Sequence, residues 1–131
     1  LRILLDTHVF LWLITGDKKL GRKTKRLLEK TDTEIWLSPI TIWECLMLDH
    51  AGRIRLEPTP LQWARDVLRK FPFLEAPLNY EVALESRGIS LKHEDPADRF
   101  LAATAAVYDL TLLTGDERLL EGSGFSAIPN E

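Results

Sequence analysis

A chain of 131 residues, 45% of them apolar and 28% charged, has the size of one globular domain with room for a sizeable core. A formal net charge of −3 argues against coating nucleic acid through bulk charge. The single cysteine, Cys45, rules out an intrachain disulfide, and no segment reads as a membrane span or a secretion leader, so a cytoplasmic protein is the default expectation.

The apolar run Leu1 to Leu5 has strand character, and Asp6-Thr7 then caps a helix over His8 to Ile14. Gly16 and Gly21 bracket a turn, Arg22 to Lys30 reads as a basic helix with Leu27 and Leu28 inward, and Glu34 to Leu37 as a second short strand. Lys18, Lys19, Arg22, Lys23, Lys25, Arg26 and Lys30 are opposed only by Glu29. Such a stretch suits either phosphate contacts or an ordinary solvated helix face.

Ser38-Pro39 starts the next helix, with a capping serine and proline at its first position, and that helix should stop near Gly52. Its run Ile40 to Leu48 is apolar on nearly every face, which predicts burial. Glu44 interrupts it. A carboxylate in such surroundings needs a cation, a metal or strong hydrogen bonds to offset its desolvation.

Beyond a loop over Arg53 to Pro60, helical spacing resumes from Pro60 to Phe71, and Leu74 to Leu78 reads as a strand or an extended connector. Asn79 to Arg87 is a short helix ended by Gly88, and Asp95-Pro96 opens another that runs through Leu101 to Val107. Thr111 to Thr114 is a clear strand, Asp116 caps a short helix, and Phe125 to Ile128 is a last strand candidate. Strands alternating with helices predict an α/β fold whose parallel sheet is covered on both faces.

Asp6, Asp95 and Asp116 each have a structural explanation as helix N-caps, and Asp98 suits a first helical turn. Topology adds a second reading. In open parallel sheets ligands bind beyond the carboxyl ends of the strands, where Asp6 and Asp116 follow the two best strand candidates. The helices carrying Glu44 and Asp98 can converge there. Four carboxylates so close repel unless a cation neutralises them or some are protonated, and oxygen-only ligation points to Mg²⁺ or Mn²⁺ rather than zinc. Hard cations held by carboxylates suit phosphoryl chemistry. Thr7 and Thr114 could hydrogen-bond a metal water or a phosphate oxygen, or simply cap, and Arg99 could contact a nucleic-acid backbone or pair with an acid. His8, His50 and His93 carry less weight, Cys45 suits a small core hydrophobe, and Trp12, Trp36, Trp43 and Trp63 suit core or partner surface.

Four blocks together resemble the PIN-domain nucleases of the VapC toxin type. These are Leu4-Leu5-Asp6-Thr7-His8 with Leu11-Trp12, Ser38 to Glu44 with its Trp43-Glu44 pair, His93 to Arg99 with Asp95-Pro96-Ala97-Asp98-Arg99, and Leu112-Leu113-Thr114-Gly115-Asp116. The similarity covers essentially the whole chain, in order, as a single PIN domain over 1–131. It implies a three-layer α/β/α sandwich with a mostly parallel central sheet, and a Mg²⁺- or Mn²⁺-dependent endoribonuclease. The family's acidic positions match Asp6, Glu44, Asp98 and Asp116, with Asp95 as an extra nearby acid. The resemblance also implies a homodimer, a VapB-type antitoxin whose C-terminal segment covers the acidic groove, and structured RNA targets such as transfer or ribosomal RNA. Two positions depart from the common pattern: His8 stands where many relatives carry asparagine, and Leu48 where relatives often carry a lysine.

Three other readings compete. A haloacid-dehalogenase-like phosphatase usually wants a second acid two residues after its first aspartate, where this chain has His8. A response-regulator receiver needs a lysine after a late strand, which is missing. A catalytically degenerate PIN domain would keep the acids as caps and act by binding alone.

Overall fold

A computed structural model describes residues 1–131. Its strands are β1 (Arg2–Leu5), β2 (Glu34–Leu37), β3 (Leu74–Glu75), β4 (Thr111–Thr114) and β5 (Ser126–Pro129). All neighbours pair in parallel, in the order β3-β2-β1-β4-β5. β1 is central, with Leu4 beside both Trp36 and Leu112 and Leu5 beside Leu113. A strand covered on both faces must be apolar throughout, and Ile3, Leu4 and Leu5 are fully buried.

The helices are α1 (Thr7–Thr15), α2 (Arg22–Glu29), α3 (Pro39–His50), α4 (Pro60–Lys70), α5 (Tyr80–Glu85), α6 (Pro96–Tyr108) and α7 (Glu117–Leu120). Strand alternation sorts them into two layers. Ile3, Leu5 and Leu113 pack with Val9 and Phe10 of α1, Leu28 of α2, Cys45 of α3 and Val67 of α4. Leu4 and Leu112 face the other way, onto Leu101 and Ala105 of α6 and Leu119 of α7. The result is the expected three-layer α/β/α sandwich, with α5 packed on α6.

The polar residues at the helix starts act as the sequence predicts. Asp6, Ser38, Asp95 and Asp116 accept hydrogen bonds from the backbone N–H groups of Val9, Ile40, Asp98 and Arg118. Most boundaries fall within a residue or two of expectation. The Leu74 to Leu78 segment contributes only a two-residue edge strand, β3, and the last strand begins at Ser126 rather than Phe125.

One expectation fails. The apolar run of α3 is not enclosed: Trp43 is 53% exposed and Met47 45%. Thr41 and Cys45 are buried, and Ile42 and Leu46 pack on the core beside them, so one face of α3 meets α1, α4 and α6. No further layer covers the face that carries Trp43 and Met47. Composition alone cannot distinguish a buried helix from one with an apolar face left open.

Candidate active site

Because β1 and β4 are hydrogen-bonded neighbours, the residues leaving their carboxyl ends must lie side by side. Asp6 leaves β1 and Asp116 follows β4, and the Asp6 backbone N–H donates to the Leu113 carbonyl at 3.1 Å. Glu44, on the second turn of α3, and Asp98, on the first turn of α6, arrive at the same edge. Asp6, Thr7, His8, Glu44, Asp95, Asp98, Asp116 and Arg118 line one cavity of about 110 Å³ with no apolar residue among them. All four principal acids from the sequence therefore converge, with Asp95 beside them.

Hydroxyls hold two of these acids in place. Thr114 donates to one oxygen of Asp6, while the Val9 N–H donates to the other at 2.8 Å. Thr7 donates to Oε1 of Glu44. Thr114 Oγ1 also accepts from the Asp116 N–H at 3.0 Å. Both hydroxyls are thus committed to positioning the acids. Asp95 accepts from the Asp98 N–H at 3.2 Å as the cap of α6, so it doubles as cap and pocket wall.

Arg99 turns away. Its Nη1 donates to the Ser86 and Ile89 carbonyls at 2.8 and 3.3 Å, tying α6 to the end of α5, and it joins neither an acid nor the cavity. Leu48 places no cation in the cavity. The cation there comes from Arg118, whose Nε and Nη2 donate to the two oxygens of Asp116 at 3.1 and 2.8 Å. Sequence reasoning missed Arg118. The signal was its place two residues after Asp116, in the first turn of a helix short enough for its side chain to fold back on the cap.

His93 was also undervalued. Its Nε2 lies 2.8 Å from Oδ2 of Asp98, and ligand-capable atoms of His93, Asp98 and Asp116 all lie within 4.8 Å of one another. Only its spacing of two residues from Asp95 and five from Asp98 hinted at this.

Burial dominates the electrostatics. It pushes the carboxyls of Asp6, Glu44 and Asp98 above their ordinary values, with the hydrogen bonds from Thr114, Thr7 and His93 pulling the other way. Neighbouring acids add to the upward push: Asp116 on Asp6, Asp98 and Asp95 on Glu44, and Asp95 on Asp98. Asp116 is the exception, because the Arg118 guanidinium holds its carboxyl below the ordinary value. A donor set of converging carboxylates, destabilised in their charged form by burial and by each other, fits a hard divalent cation.

An α/β/α sandwich with a carboxylate-lined cavity at the carboxyl edge of its parallel sheet is the class that fold and site define. Residues 3–123 match the PIN domain family, and the chain belongs to that family. Ribonuclease VapC22 of Mycobacterium tuberculosis is 30% identical over 120 residues, spanning 89% of this chain and 88% of the relative. Among solved structures, VapBC2 from Rickettsia felis bound to a DNA fragment from its promoter superposes with a TM-score of 0.72 at 13% identity, covering 100% of both chains. A toxin-antitoxin complex from Klebsiella pneumoniae gives 0.67 at 23% identity, covering 98% of each chain.

Proposed function

We propose that this protein is a Mg²⁺- or Mn²⁺-dependent endoribonuclease, the toxin of a VapBC-type toxin-antitoxin pair, comprising a single PIN domain over 1–131. The observation that carries the reading is the convergence of Asp6, Glu44, Asp98 and Asp116, from four separate elements, on one wholly polar cavity. The 30% identity to a ribonuclease of nearly the same length supports it.

Asp6, Glu44, Asp98 and Asp116 would hold the cation, with Asp95 close by. When bound, a divalent cation would supply Lewis-acid stabilisation of charge on the phosphate and on the leaving oxygen. The remaining work falls to the chain. A water attacks phosphorus in line, the bond to the departing ribose oxygen breaks, and the water's proton passes to a neighbouring carboxylate oxygen. Glu44 suits that role by geometry, because Thr7 engages Oε1 and leaves the second oxygen without a hydrogen-bond partner in the chain. Arg118 is 58% exposed at the rim, where its guanidinium can meet an incoming phosphate.

The cationic face of α2 supports an RNA substrate. Lys23, Arg26 and Lys30 line a groove of about 440 Å³ beside Leu113 of β4. Asn130 links this region to the site edge, accepting from the Gly21 N–H at 2.8 Å and donating its own N–H to the Thr114 carbonyl at 2.9 Å. Structured RNAs, transfer or ribosomal, are the targets in this reading.

The open face of α3 supports protein partners. Beside it a groove of about 370 Å³, lined by Leu37, Ile42, Leu68, Phe73 and Leu74, runs between α3, α4 and the edge strand β3. A VapB-type antitoxin and a second copy of the chain are the partners in this reading. No helix is long and apolar enough to cross a membrane. With cellular RNA as the target, the cytoplasm would be the site of action in this reading.

The test is incubation of antitoxin-free protein with total bacterial RNA in Mg²⁺ or Mn²⁺, with EDTA and Asp6→Asn protein as controls, followed by mapping of new ends. Discrete cuts that need both the metal and Asp6 are expected. Metal binding without cuts, across RNA from several sources, would remove the ribonuclease reading; no cuts and no metal binding would favour a degenerate PIN domain acting by binding alone.

A further inference from the structure

We propose that His93 is a positioning residue for Asp98, holding one oxygen of that carboxylate through Nε2–H and leaving the other available to a cation, without itself ligating the metal. The inference rests on the metal-site reading above and assigns a role to a residue outside its acidic set.

Both partners are enclosed, the side chains of His93 and Asp98 being 10% and 15% exposed, with Nε2 2.8 Å from Oδ2. The other ring nitrogen, Nδ1, is buried with no hydrogen-bond partner. A proton on Nδ1 would be a buried, unpaired donor, the more costly kind of orphan, whereas a bare Nδ1 leaves only an unused acceptor. Nε2 therefore carries a proton and donates it to Asp98. Direct ligation through Nε2 would force that proton onto Nδ1, where nothing accepts it. His93 thus lies within reach of the cluster yet is arranged to orient a ligand, as residues behind metal ligands commonly do.

The segment carrying His93 is braced. Ser90 and Ser123 exchange backbone hydrogen bonds at 2.9 and 3.0 Å, and Lys92 pairs with Glu121 at 3.2 Å. The Asp98 N–H is held in turn by Asp95, so the acid is fixed from both its backbone and its carboxylate.

The experiment titrates Mn²⁺ into the full chain by calorimetry, using wild type, His93→Ala and His93→Gln, with melting curves in EDTA to verify folding. Glutamine carries an N–H near the position of the imidazole Nε2. His93→Ala is expected to bind Mn²⁺ about 10- to 100-fold more weakly, and His93→Gln to recover most of the loss. A folded His93→Ala with wild-type affinity would overturn the inference. Equal weakness of the two variants would overturn it too, since it would mark the ring nitrogen as a ligand. Nitrogen-15 NMR of the wild-type ring reads the tautomer independently of any variant: a proton on Nε2 with and without Mg²⁺ is expected, and a proton on Nδ1 contradicts it. Failure of the wild type itself to bind Mn²⁺ would instead sink the metal-site reading, and this inference with it.

Discussion

The Thr114 hydroxyl, at the end of β4, donates to the carboxylate of Asp6, at the end of the adjacent β1, and at the same time accepts from the Asp116 N–H. One buried hydroxyl therefore fixes two of the four acids relative to the sheet. Thr114→Val removes it with little change of shape and leaves buried polar groups unpaired, which should cost about 1–3 kcal/mol of stability and lower RNA cleavage. Thr114→Ser should keep most of both. Denaturant unfolding and cleavage rates of the two variants check this, and a Thr114→Val protein as stable and active as wild type would show that the hydroxyl is dispensable.

Without metal, the contribution of the three buried acids to stability should fall as pH rises. Asp6, Glu44 and Asp98 have folded-state affinities for protons raised by burial, so they favour the fold fully below their ordinary values of 3.8 and 4.5. That contribution is lost as pH climbs through the raised values. Asp116, held down by Arg118, acts in the opposite sense: its contribution is present above 3.8 and lost as pH falls through its lowered value. Glu44→Gln removes one of the raised groups, so in EDTA at neutral pH it should melt above wild type, with a flatter dependence on pH. A lower melting temperature across that range would contradict the sign.

Adding a divalent cation should reverse the same repulsion. At a free Mn²⁺ concentration 100 times its Kd, mass action adds about 2.7 kcal/mol, on the order of 10 °C in Tm for a domain of this size. Asp6→Asn should show a much smaller rise and lose RNA cleavage by about 100-fold or more. Differential scanning fluorimetry with and without EDTA measures the first effect; an equal rise in both proteins would remove Asp6 from the metal set.

Trp43 and Met47 should matter to partners and modestly to the fold. Each side chain is about half exposed, so replacing both by serine should cost a modest amount of stability, about 1–2 kcal/mol, while binding of a purified cognate antitoxin or self-association should weaken at least about tenfold. Analytical ultracentrifugation and antitoxin titration read the two outcomes. Wild-type behaviour in both would leave that face without a partner role.

Much of this architecture was legible in the residues. The apolar runs of β1 and β4, the capping residues Asp6, Ser38, Asp95 and Asp116, and the alternation of strand and helix define a covered parallel sheet, because helix capping and strand burial are local demands that each segment meets with its own side chains. The acids could be singled out for the same reason: Glu44 contradicts its apolar neighbourhood, and Asp6 and Asp116 follow strands.

Four things were decided only by the tertiary structure. The adjacency of β1 and β4 sets Asp6 beside Asp116 across 110 residues of chain, a pairing no local pattern encodes. Layering leaves Trp43 and Met47 in the open, against the burial that their helix's composition predicts. Thr7 and Thr114 spend their hydroxyls on acids, and Arg99 on helix carbonyls, because the geometry of close packing determines which of several chemically suitable partners lies within hydrogen-bond reach. His93 and Arg118 enter the site by the same route. A sequence fixes which groups a chain can offer, but contact energies fall off over a few ångströms, and only the folded chain sets those distances.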